Sequence, residues 1–410
     1  VLGSRGLGDV YKRQPYNPAT AGNCLGIPYM DHAETDLNPR YERGTLQEVY
    51  EMIGKDIEAG IPLIDDTAYS VPKYHFNYKA ACCFASRYYL FMQDWGNAIK
   101  YATMALTSNP SSLLRDYSAI AALPKGTSRH QEYVNSASTA NFLLQAATSN
   151  SGLLFDWYST AGRYSHGKLQ GIYETVQPKK GGPWGSSVTF KAPHAVLASS
   201  GKYVLPRTWR VFQYTDPVAG TGFNKAISVL FTSEEALLNR AEAYIMKMNE
   251  DPTALDKALE DINLYAANLF SAGFKSMTEA SIIKWATETY PDYSELYVGK
   301  TSVSSPQTLN PKKKLHAAPY NTLEDGGPQE SMLQALIFMR RYQFLHEGMR
   351  WFDTRRFGIT VYRYLLDEDA ETVVQITDQI SDENGTADPR RALQLPADVI
   401  AAGLTPNPRK

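Results

Sequence analysis

Small side chains recur at Ala98, Ala102 and Ala105, with Tyr89 nine residues before the first and Pro110 twelve after it. That is the spacing of a tetratricopeptide hairpin, in which small residues let two antiparallel helices approach closely. Asn77 starts the first helix, whose apolar side carries Ala81, Phe84, Tyr88 and Phe91, and Gln93–Gly96 turns into the second. A second pair is predicted over Thr232–Phe270, striped by Leu237, Ala241, Tyr244 and Ile245, then by Leu255, Ala258, Ile262, Tyr265 and Leu269. Thr45 with Glu48, and Thr232 with Glu235, have the spacing of capping boxes. The first opens a helix with Leu46, Val49, Tyr50, Ile53 and Ile57 on one face, stopped by Gly60 and Pro62. A third long helix is predicted from about Pro328 to Arg350.

The expected fold is mainly α. Tetratricopeptide-like pairs form a right-handed scaffold, with long irregular loop and short-strand insertions on one face. Its framework is residues 45–110, 230–270 and 328–358, and its insertions are 111–229 and 271–327. Both insertions are rich in Ser, Gly, Pro, Tyr and Trp, with short strand-like runs such as Asn141–Gln145, and inserted segments of this kind usually carry function. Leu393–Ile400 reads as a packed closing segment. Residues 15–410 are treated as one domain. Gly8–Gln14 back-translates, with permitted codons, to a string resembling a sequencing-adapter transposon end, so Val1–Gln14 is set apart as an artefactual leader.

Composition excludes several classes. A net charge of −2 gives no electrostatic case for nucleic acid. No apolar run reaches the ~20 residues of a membrane helix. Cys24, Cys82 and Cys83 form neither a disulfide framework nor a metal spacing, and Cys82 and Cys83 read as core. No nucleophile elbow or phosphate loop is present, and Arg350 stands where a zincin helix starting at His346 needs its second histidine. Paired acids such as Asp65-Asp66 and Glu234-Glu235 read as surface or cap residues. No catalytic residue, metal or cofactor is therefore expected.

The 27 tyrosines and 6 tryptophans are the outlier. Sugar rings have apolar C–H faces that flat aromatic rings can hold, while nearby Asn, Lys and Arg bond the hydroxyls. Trp157, Trp184, Trp285, Tyr290, Tyr293, Tyr297 and Tyr320 are the candidate ligand-binding residues on this composition, Tyr320 following Lys312-Lys-Lys314. Glu347, Arg350, Trp351, Asp353, Arg355 and Arg356 read instead as a structural clamp, Glu347 and Arg350 having an i,i+3 ion-pair spacing.

Four segments in order resemble the SusD/RagB family. They are Gly26–Tyr29 with Arg43-Gly-Thr-Leu-Gln-Glu-Val-Tyr50; Lys79, Arg87, Tyr89, Trp95, Ala98 and Tyr101; Leu237–Ala243 followed by Asn263; and Met339–Gly358, close to the family's E-R-R-I-E-L-A-F-E-G-x-R-W-F-D-x-R-R-x-G. Met339 and Gln343 replace two glutamates, and Leu264–Asn268 lacks the arginines that often follow Asn263. The resemblance implies a cell-surface outer-membrane lipoprotein, lipid-anchored through a segment not in this sequence. It implies capture of nutrient, mostly glycan and in some relatives peptide, as a lid over a SusC-type TonB-dependent transporter. The rivals are a tetratricopeptide scaffold holding a protein partner in its groove, and an all-helical glycosidase.

Overall fold

The computed structural model describes residues 16–29, 33, 35, 41–152, 166–176, 178, 180–194, 196–197, 202–204, 207, 211–290, 309, 311–369, 371–382 and 387–409. Its first long helix, α1 (Leu46–Gly60), carries the complete Thr45–Glu48 capping box and buries the five apolar residues of its periodic face. Asn77 caps α2 (Tyr78–Phe91), and Asp94 caps α3 (Trp95–Leu106) after a turn in which Gln93 takes φ 64°. Ala98, Ala102 and Ala105 are fully buried in this hairpin, so the two backbones close without side chains between them.

Beyond it lie the short helices α4 (Tyr117–Ala122) and α5 (Thr127–Tyr133), then the second hairpin of α6 (Ser233–Lys247) and α7 (Ala254–Leu269). Helix α6 is the centre of the frame. It packs on α2, α3, α7 and the later helix α8 (Pro328–Gln343), and Ser233–Asn239 and Ala241–Ala243 are all buried. Cys82 and Cys83 lie in the core beside it, on α2. A helix buried over this much of its surface cannot keep those polar residues in water, so each must find a partner.

Thr232 accepts from the Glu235 backbone N–H, but the Glu235 carboxylate does not complete a second capping box. Arg87 takes it, through Nε at 2.5 Å and Nη2 at 2.7 Å. Glu234 likewise receives the Arg115 backbone N–H at 3.1 Å. The expectation of Glu234 and Glu235 as surface or cap acids is corrected to this extent: both are buried ion-pair partners. Asp65 does behave as a cap, accepting from Thr67 in solvent.

The predicted helix over 328–350 is two helices. α8 ends at Gln343, His346 and Gly348 take φ 58° and 83°, and α9 (Met349–Arg356) starts afresh. The carbonyl of Gln343, left open by the helix end, accepts from Arg207 Nη1.

Strand β1 (Asn141–Thr148) covers the predicted strand-like run. It pairs antiparallel with β3 (Thr221–Thr232), which pairs with β2 (Val211–Asp216) in the order β1-β3-β2. The first four residues of β1 are buried and the last four exposed, and β3 is buried only at its far end, so this sheet leaves the body as an arm. β4 (Val361–Leu366) and β5 (Val373–Ile380) form a separate ribbon. In the closing segment Leu395 is buried but Leu393 is exposed, so packing there is partial. Arg43 ties this tail to the entry of α1: it donates to Gly26 O, Thr405 O and Asn407 Oδ1.

Removing Glu235 strands the Arg87 charge in the core. Glu235→Ala should cost about 3–5 kcal/mol in chemical denaturation, and the double replacement Arg87→Met with Glu235→Leu much less. Thr45→Ala, losing only an exposed cap, should cost about 1 kcal/mol.

Candidate ligand-binding surface

The charged residues of the C-terminal signature meet inside the frame. Asp353 on α9 accepts from Arg340 Nε of α8 at 3.2 and 3.1 Å and from Arg356 Nη2 at 3.0 Å. Arg356 Nη2 also reaches Glu242 Oε2 of α6 at 2.9 Å, and Arg340 Nη1 reaches Asn239 Oδ1 at 2.8 Å. Burial alone would raise the Asp353 carboxyl, but Arg340 and Arg356 outweigh it and hold it below the usual range. With Arg340, Asp353, Arg355 and Arg356 all buried, this cluster joins three helices and offers no surface to a ligand.

Glu347 takes no part in it. Because the helix breaks before it, its expected i,i+3 pairing with Arg350 is replaced by contacts to Tyr133 Oη at 2.7 Å and Arg207 Nη1 at 3.2 Å. The Tyr133 ring lies under two guanidiniums, Arg115 at 3.9 Å and Arg207 at 4.9 Å from its centroid. Above them opens a cleft lined by Tyr117, Arg129, Tyr133, His194 and Arg207, with free space of about 20 Å³.

Four of the rings expected to bind ligand are core residues. Trp184, Trp285, Tyr290 and Tyr320 are between 3 and 7 % exposed. Trp184 packs edge-on against Phe190, Phe270, Phe338 and Tyr342. Trp285 meets Tyr290 and Phe338, and Tyr320 packs on Phe357. The physical reason is α8: its buried surface is covered by segments of the two insertions, which supply the rings that fill that half of the core. Lys312 and Lys313, expected near Tyr320 as sugar-bonding groups, are buried and paired with Glu330 and Glu174. Trp157, Tyr293 and Tyr297 lie outside the described residues.

The exposed rings lie elsewhere. Tyr69 and His75 stack face to face, with centroids 4.1 Å apart and planes 7° from parallel, on the irregular segment between α1 and α2. Tyr69 is 38 % exposed and its neighbour Tyr74 43 %. The segment is held firmly: Asn77 Nδ2 donates to Pro72 O and Phe142 O, and Tyr78 N to Asp66 Oδ1. Composition gave no sign of these rings, since tyrosines are spread over the whole chain; the usable signal was a connection containing Tyr69, Tyr74 and Pro72 between a helix stop and the Asn77 cap. A second exposed set, Phe212, Tyr214 and Phe223, rides on the arm.

A family model of SusD-like proteins, described as starch-binding and associating with the outer membrane, matches residues 7–90. A candidate sugar-binding protein of Bacteroides vulgatus aligns at 17 % identity with a TM-score of 0.58, covering 98 % of this chain and 73 % of its own. The chain is similar to SusD-like proteins over residues 7–90 and shares the fold of these solved structures. A SusD superfamily protein of Bacteroides vulgatus gives 18 % and 0.52, over 98 % of this chain and 73 % of the other. One of Bacteroides thetaiotaomicron gives 16 % and 0.51, over 98 % and 74 %. No curated protein matches. The tetratricopeptide-like helical frame is thus one that these solved structures share. The family match begins at residue 7, within the leader set apart on sequence, and takes in the Tyr69–His75 stack. Among the described residues no helix is long and apolar enough to cross a membrane.

The buried core also fixes a pH response. Burial, with Arg341 adding to it, lowers His166 to about 3, and burial lowers His346 to about 4. Burial would raise Glu174, but Lys313 and Arg341 outweigh it and hold it at about 2. In each case the unfolded chain binds the proton first, so stability is complete above the unfolded pKa and falls as pH drops. Denaturation midpoints should decline from about pH 6.5 as the histidines charge in the unfolded state, and more steeply below about 4.5 as Glu174 protonates.

Proposed function

We propose that this SusD-like protein is a non-catalytic carbohydrate-binding protein at the cell-surface face of the outer membrane. It holds oligosaccharide for a SusC-type TonB-dependent transporter and is itself lipid-anchored. The observation that carries the reading is the Tyr69–His75 stack: two parallel rings in solvent, with the exposed Tyr74 next to His75 in the chain, on a segment clamped to a rigid frame. A flat ring fixed in advance loses little conformational freedom when a sugar's C–H face settles on it, which is what weak, repeated saccharide contacts require. Asp65 and Asp66 in the same segment offer acceptors for sugar hydroxyls. The family description, starch-binding and associating with the outer membrane, supports both the ligand class and the location. Trp157, Tyr293 and Tyr297 belong to the same reading as further stacking residues.

Calorimetry against a panel of neutral and acidic oligosaccharides tests it. Tyr69→Ala and His75→Ala should each weaken saccharide binding by about 1 kcal/mol, some fivefold in Kd, with melting temperature almost unchanged. Unaltered affinity in both variants, or binding of peptides with no saccharide bound, overturns the assignment.

A further inference from the structure

The cleft above Tyr133 contains a buried donor with no acceptor among the described residues. Arg207 is 5 % exposed; its Nη1 serves the Gln343 carbonyl and Glu347, while its Nη2 has no hydrogen-bond partner among the described residues. Across the cleft Arg129 is fixed by two backbone bonds of 2.9 Å, Nε to Leu123 O and Nη2 to Ala121 O, which leaves Nη1 without an acceptor among the described residues. The buried charges beneath are balanced: Arg115 and Arg207 face Glu234 and Glu347. Among the described residues that line the cleft, Arg129 is therefore a positive charge with no acidic side chain beside it. His194, which also lines the cleft, adds no positive charge of its own, since burial drives it to the neutral form. Tyr117, Ile120 and Pro193 make the walls apolar, which strengthens any ionic contact inside.

We propose that this cleft is a binding site for a single carboxylate, with Arg207 Nη2 and Arg129 Nη1 as its donors. The free space of about 20 Å³ admits one or two oxygen atoms and no ring, so the group must be pendant on a body that stays outside. On the carbohydrate reading above, on which this identification of the body rests, the carboxylate is that of an acidic sugar. A guanidinium pair suits a planar carboxylate because charge-assisted bonds from fixed donors are the strong kind.

The test compares trigalacturonate, its methyl ester and acetate as probes of the whole protein. Wild type should hold trigalacturonate about tenfold more tightly than the ester at low salt, and R129Q should lose that preference while keeping ester affinity. R129K, which keeps the charge, should retain part of it; this variant decides the matter if R129Q disturbs the end of α4. Equal binding of acid and ester by wild type, or a preference that survives in R129Q, overturns the proposal. Acetate should raise the melting temperature of wild type and not of R129Q. That result with no saccharide bound upholds the carboxylate site and removes the carbohydrate reading, whereas loss of the acetate effect together with intact ester binding does the reverse.

Discussion

Asp353 is the point on which the helical frame closes. It is completely buried, on a helix of only eight residues, and two guanidiniums from different turns converge on it. One of them, Arg340, belongs to α8 and reaches on to α6 through Asn239; the other, Arg356, reaches α6 through Glu242 and lies 5.1 Å from the Phe91 ring of α2. Three helices are thereby tied by one chain of charged and polar groups, with a ring of a fourth packed against it. Such a chain contributes little net stability over apolar packing, because removing ions from water is costly, but it tolerates almost no alternative geometry. That suits a frame whose task is to hold irregular segments in place.

The frame was legible because its signals are local. The Thr45–Glu48 box, the Asn77 cap and the alanines of α3 each act within a few residues, and each formed where its spacing placed it. What failed was non-local. Glu235 has the right spacing to complete a capping box, yet Arg87, 148 residues away, claims its carboxylate. The continuous helix read over 328–350 is broken at a point where Arg207, 136 residues earlier in the chain, receives the free carbonyl. No periodicity within the segment reports a partner at that distance.

The candidate site was less legible than the frame for a related reason. A ring packed in the core and one left in solvent can be the same letter in the sequence; Tyr320 and Tyr69 differ only in what folds over them. Counting rings in the insertions located chemistry but not exposure, and it picked residues that serve α8. The arginines around Tyr133 were missed altogether, because Arg115, Arg129 and Arg207 converge from separate stretches with no motif between them.

Arg43 gives the molecule a property that no single helix has. Its guanidinium grips Thr405 and Asn407 while its backbone leads, two residues on, into the Thr45 cap. Peeling of the last residues and fraying of the first helix are thus one event rather than two, so protection from hydrogen exchange at these remote stretches should rise and fall in step, as a shared latch rather than independent loose ends.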